Sequence, residues 1–280
     1  MKLINNLIFK LTVAFIASGF TCHSFAQGLY VGIGGGYGFA ADKQDLGQNI
    51  TTAPGTTTYA SNSFSLGKGT SIGVYGGYLF NKNIGAELGA AYLIGNTTST
   101  TEESLDASSI ITLKSTHSLK GSMLRLAPSM RIQYGEKRLH PFVTAGLIIG
   151  LGSQITEEYY TLRGTDLNDN MATYSGGISL GFHASAGIQF NLTDRVGIYG
   201  ELSGNFQSYA PKKMIYTKFL AHGVDELPGM TVSQKETDFQ NNYTAGTNSP
   251  GTPSSSTLVH FPFSSVGLNI GLHYSFGKSK

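Results

Sequence analysis

The segment PFVTAGLIIGLG, residues 141–152, separates into two faces when read at every second position. The odd positions are Val143, Ala145, Leu147, Ile149 and Leu151; the even ones are Phe142, Thr144, Gly146, Ile148 and Gly150. A period of two is the signature of a β-strand. A soluble sandwich would bury the apolar face and place charge on the other. A transmembrane barrel would turn the apolar face to lipid and crowd the other face with side chains from the opposite wall. Glycine packs nothing in a strand and costs backbone entropy, so a glycine face needs such a reason.

The same alternation recurs seven times, over residues 28–39, 70–80, 84–95, 119–134, 173–190, 196–209 and 264–276. In 28–39, Leu29, Val31, Ile33, Tyr37 and Phe39 share one face, and Gly32, Gly34, Gly36 and Gly38 the other. Charged residues in these runs fall almost only on the glycine-bearing face, one or two per strand: Glu87, Arg125, Arg131 and Glu201. The whole chain of 280 residues is 13% charged, against about 25% in soluble domains. A sparsely charged inner face behind an apolar outer face is the barrel pattern. Beyond the N-terminus no apolar stretch reaches the roughly 20 residues of a spanning helix.

Short and long connections alternate. The short ones lie at 81–83, 135–140 and 191–195; the long ones cover about 40–69, 96–118, 154–172 and 210–256. In a membrane barrel these are periplasmic turns and extracellular loops. The long segments are rich in Thr, Ser, Asn and Gly and are read as loops, with 210–223 a candidate strand extension or short helix. Tyr37, Phe39, Tyr92 and Phe206 gather toward the long-loop end, and Tyr78, Phe80, Tyr134, Phe190, Tyr274 and Phe276 toward the other, as two aromatic girdles would.

Residues 1–26 read as a secretory signal: Lys2 and Lys10, an apolar core from Leu11 to Phe20, and Ser24 and Ala26 before a cleavage site with Gln27 as the mature start. A lipoprotein anchored through Cys22 is the competing reading, weakened by the preceding Gly19-Phe20-Thr21. Removing this segment leaves 17 basic residues of 19 against 17 acidic ones, and no cysteine. A thiol-free chain suits passage through an oxidising periplasm.

LRLAPSMRIQYG (124–135), the PFVTAGL opening of 141–147 and IGAELGAAY (84–92) resemble the small eight-stranded outer-membrane proteins: OmpA-type transmembrane barrels, opacity-type surface proteins and the "porin family" β-barrel domain. The resemblance covers roughly residues 27–276. It implies an all-β, eight-stranded antiparallel up-and-down transmembrane barrel behind a cleaved signal peptide, in the bacterial outer membrane, with outer-membrane lipid, periplasmic chaperones and the barrel-insertion machinery as partners. Leu268, Ile270, Leu272, Tyr274 and Phe276 resemble the terminal signal that this machinery reads, except that Gly277-Lys278-Ser279-Lys280 follow.

Chemistry is sparse. GIGGGYG at 32–38 lacks the following helix of a nucleotide loop. His183 and Ser185 are the pair that an outer-membrane lipid-modifying enzyme would need, but both fall on the inner face, away from lipid. No histidine spacing suggests a metal, and no catalytic residue, cofactor or nucleic-acid partner is expected. An eight-stranded barrel is just wide enough for side chains to fill, so Glu87, Arg125, Arg131, His183, Glu201 and His273 are expected to form an inner polar core. Glu87, Arg131 and Glu201 would be its paired centre. The expected function is a structural or surface-interaction barrel whose four loops reach an extracellular ligand or host surface. The alternatives are a narrow channel for small solutes and an outer-membrane enzyme.

Overall fold

The computed structural model describes residues 28–135, 138–243 and 249–277. The signal segment, with Ala26 and Gln27, lies outside the described residues. The strands in chain order are β1 (Leu29–Ala40), β2 (Gln44–Ala53), β3 (Thr56–Phe64), β4 (Gly69–Leu79), β5 (Ile84–Gly95), β6 (Thr98–Leu105), β7 (Ile111–Gln133), β8 (Leu139–Arg163), β9 (Asp166–Ser175), β10 (Ser179–Asn191), β11 (Val196–Tyr209), β12 (Lys213–Ala221), β13 (Val224–Asp225), β14 (Glu236–Gln240), β15 (Ser254–Thr257), β16 (Phe261–Pro262) and β17 (Ser265–Ser275).

Strands β1, β4, β5, β7, β8, β10, β11 and β17 pair antiparallel in that order, and β17 pairs back onto β1. The sheet therefore closes on itself. The two faces of 141–152 are the two faces of this ring. Val143 and Leu147 are exposed on the outside, whereas Phe142 and Ile148 are buried within. The outer surface is apolar all round, carrying Ile33, Ile72, Leu88, Met130, Leu180, Leu202 and Ile270 among its exposed residues. Aromatic pairs sit near both rims: Tyr37 with Phe39 at one, Tyr78 with Phe80 and Tyr274 with Phe276 at the other.

The glycines inside the ring make room for rings of another kind. A β-carbon at Gly32 would strike the Tyr75 ring, one at Gly77 the Tyr30 ring, and one at Gly34 the Tyr199 hydroxyl. The inner face is small at some positions because it is very large at others.

Two expectations are corrected. Among the described residues the sheet has seventeen strands rather than eight, and much of the long connections is strand rather than irregular loop, with a 3-10 turn at Leu227–Gly229 and one helical turn at Val232–Lys235. β7 and β8 run 23 and 25 residues, well past the ring, and an open sheet grows from their extensions. On one side β6 pairs with β7, β2 runs parallel to β6, and β3 folds back on β2. On the other, β9 pairs with β8, β12 with β9, β14 with β12, and β15 runs parallel to β14. Within 210–223, β12 is the strand alternative of the two foreseen. Threonine-rich stretches such as TTTYASNSF in β3 are wet on both faces, so they pair without the apolar alternation that marks a half-buried strand. The run 173–190 is also two elements, broken at Gly176 and Gly177, both with φ near +80°. Gly152, with φ +58°, reverses the parity of β8, so that Ser153 and Ile155 point inward above it.

Candidate functional site in the ring interior

The interior is layered. Nearest the short connections lies Arg131, 2% exposed. Its Nη1 donates to Glu87 Oε2 at 3.0 Å, its Nη2 to Gln189 Oε1 at 3.0 Å and its Nε to Gln133 Oε1 at 3.2 Å. The guanidinium plane lies over Phe142, 4.0 Å from the ring centroid, and 5.2 Å from that of Tyr30. The Tyr30 hydroxyl donates to the same Glu87 oxygen at 3.0 Å. This buried charge is paired with a carboxylate and bonded from all three of its nitrogens, which is the condition for keeping a buried ion at tolerable cost. Beside it His273 meets the Tyr75 hydroxyl at 3.1 Å and Ser275 at 3.0 Å.

Glu201 does not join this pair, which corrects the expected triad. β11 and β7 are separated by β8 and β10 around the ring. Glu201 instead accepts from Ser185 at 3.0 Å and from Asn269 at 3.0 Å. His183 bonds Asn205 at 2.8 Å and approaches Thr144 at 3.4 Å. Thr144 sits between His183 and Ser185, and the Ser185 hydroxyl is given to Glu201. Ser185 and His183 are thus not joined as nucleophile and base.

Higher still, Arg125, 5% exposed, donates from Nη2 to the Phe263 carbonyl at 2.7 Å. That carbonyl belongs to an apolar plug of Leu66, Leu93, Leu119, Met123, Ile155, Tyr209, Phe64 and Phe263. Leu66 and Phe263 come from two segments outside the ring strands, residues 65–68 and 261–264, which are stitched together across the mouth. Leu66 N–H donates to the Pro262 carbonyl at 2.8 Å, the Ser65 hydroxyl to that of Ser264 at 2.6 Å, and Phe263 N–H to Gln207 on the wall at 3.0 Å. Between plug and Arg131 lies a cavity of about 130 Å³.

Of the residues expected in the polar core, Glu87 and Arg131 are joined directly, and Arg125, His183, Glu201 and His273 each hold separate partners. Phe142, on the glycine-bearing face of 141–152, is buried inside as its parity requires; sequence reading missed Tyr30, Tyr75 and Tyr199 as interior residues, although their parity already places them there. It missed the plug as well. The residues of the terminal strand pattern, Leu268, Ile270, Leu272, Tyr274 and Phe276, are all exposed on the outside.

An all-β chain with a closed ring, an apolar exterior and a polar interior has the architecture of a membrane barrel. The profile of the outer membrane protein beta-barrel domain matches residues 11–210, and the chain belongs to that family. Among solved structures it is similar to the N-terminal beta-barrel domain of Pseudomonas aeruginosa OprF, at 10% identity over 89% of this chain and 98% of that one, TM-score 0.32. It is also similar to Ail, the attachment invasion locus protein of Yersinia pestis, at 9% identity over 89% and 99%, TM-score 0.30. At these values neither likeness carries an argument about this chain's role. No curated protein matches.

Proposed function

We propose that the chain is an eight-stranded transmembrane barrel of the bacterial outer membrane, exported behind residues 1–26, that presents a rigid sheet at the cell surface for recognition and conducts nothing. Membership of an outer-membrane barrel family supports the location. The apolar outer face of the ring supports contact with lipid, since its alternative is water. In this reading the short connections and both termini face the periplasm, and the insertion machinery reads Leu268 to Phe276. The long connections face outward, toward an extracellular ligand or host surface.

The observation that carries the closed reading is the plug. Leu66 and Phe263, both 0% exposed, fill the mouth from segments tied to each other and to β7 and β11. The test is conductance of the refolded chain in a planar bilayer. The proposal expects no steady current from the native chain and a current from the double variant Leu66→Gly, Phe263→Gly. The second reading is a narrow channel, favoured by the polar cavity of about 130 Å³ beneath the plug. A steady native current would establish it and end the first.

A further inference from the structure

Two charges on the cavity wall lack an ion partner among the described residues. Arg125 Nη2 donates to the Phe263 carbonyl. With the Gln207 amide turned so that its oxygen faces the guanidinium, Nε and Nη2 reach it at 2.8 and 3.2 Å. A guanidinium has five N–H donors, and the Nη1 pair has no protein acceptor among the described residues. Across the ring, the Glu201 carboxylate is held by Ser185 and Asn269, two neutral donors. Glu87, the other carboxylate on the cavity, is already neutralised by Arg131. Arg125 faces Ala91 and Gly150 along its strand neighbours, and Glu201 faces Gly187 and Asn269 along its own. Each charge has only small or neutral residues beside it, and both line the same space.

Withdrawing a charge from water without a counter-charge is expensive, and the expense falls when something of opposite sign occupies the gap; this bears most on Arg125, 5% exposed, and less on Glu201, which is half-buried. The two walls carry opposite signs, so one molecule with both signs answers both. An apolar cavity of ~150 Å³ accepts benzene, so this cavity admits a solute of roughly half a dozen non-hydrogen atoms. We propose that the cavity binds a small zwitterion of simple amino-acid size, its carboxylate on Arg125 Nη1 and its cationic group at Glu201. His183, Ser203 and Asn205 on the same wall supply further polar contacts.

On the closed reading proposed above the plug and the Arg131 layer bar entry, so the solute is supplied during refolding. The full chain is refolded into detergent micelles with glycine, acetate or methylammonium at equal concentration and ionic strength, and the midpoint of thermal unfolding is read. A ligand bound only to the folded state raises that midpoint. The proposal expects glycine to raise it more than either half-molecule. Glu201→Gln should cut the glycine shift to that of acetate, because the Arg125 end survives. Ala127→Leu, which fills the cavity and leaves both charges in place, should remove the shift. Equal shifts from all three probes, no shift from glycine, or a glycine shift that survives Ala127→Leu would each overturn the site. Because the readout is stability, a conducting chain would refute the closed barrel and leave this test intact.

Discussion

Arg125 on β7 holds the carbonyl of Phe263 at 2.7 Å, so a charged group of the wall anchors the apolar stopper of the mouth. The bond joins residues 138 positions apart, and it ties the residues over the mouth to the packed interior rather than to loop position.

Phe263→Ala removes a ring that is fully buried among Leu66, Met123 and Tyr209. A cost of about 3–5 kcal/mol is expected for such a truncation. Denaturant unfolding of the refolded chain, followed by the gel shift of folded barrel, measures it; a loss below about 1 kcal/mol would mean that the plug is not packed.

Leu147, near the middle of the ring segment of β8, is 53% exposed on the outside. Leu147→Arg should cost roughly 2–4 kcal/mol in a bilayer, as should Leu180→Arg on β10. Unchanged folding of Leu147→Arg into vesicles would invert the assignment of inner and outer faces.

Arg131→Ala leaves Glu87 without its cation and Phe142 and Tyr30 without the group between them. Breaking a buried pair from one side costs about 3–5 kcal/mol. Because the Glu87 side chain keeps 14% exposure, the lower end is expected. Adding Glu87→Gln should recover part of the loss, since no orphan charge then remains. A double variant as unstable as the sum of the singles would show the two side chains to be uncoupled.

The extended sheet carries its own titrating group. Glu157 on β8 accepts from the Tyr174 hydroxyl at 2.5 Å and from Tyr159 at 3.1 Å, and lies 2.8 Å from His117 Nε2. Burial pushes its carboxyl up, but the bonds from His117 and Tyr174 outweigh this and hold it below the usual carboxylate range. A depressed folded value stabilises the sheet above the ordinary carboxylate range and is lost as pH falls through the folded value. Hydrogen exchange of β8 and β9 amides should therefore quicken toward strongly acidic pH, and Glu157→Gln should flatten that dependence. An identical acid response in the variant would place the sensitivity elsewhere.

On intact cells, a broad protease should cut at the sheet tips, around 106–110 and 164–165, and spare 81–83 and 191–195. The tip at 106–110 is a turn held by the Asp106 carboxylate, bonded to the Ser108 and Ile110 amides. Cleavage restricted to the short connections would reverse the orientation.

The ring was legible because lipid on one side and a crowded interior on the other force strict alternation, as in 84–95. Glu87 and Arg131 were legible as partners because both carry inner parity on adjacent strands. Tyr30, Tyr75 and Tyr199 share that parity, but a tyrosine reads equally well as a rim residue until the glycines opposite are matched to it in space. Leu66 and Phe263 stand in short segments with no alternation, so no periodicity marks them. β2, β3, β6 and β9 were hidden for a related reason. β3 is exposed along most of its length, and in β2, β6 and β9 half-buried polar residues stand without strict alternation, so no period of two marks them. Glu201 was misplaced because height along a strand does not report separation around the ring.

The surface sheet is assembled from pieces distant in sequence: Met214 of β12 faces Tyr174 of β9, and Ile50 of β2 faces Glu102 of β6. A peptide copied from any one connection carries half of each pairing and none of the shape. Antibodies raised against such peptides should bind the denatured chain better than the folded one, because each pairing forms only when a distant second segment is in place.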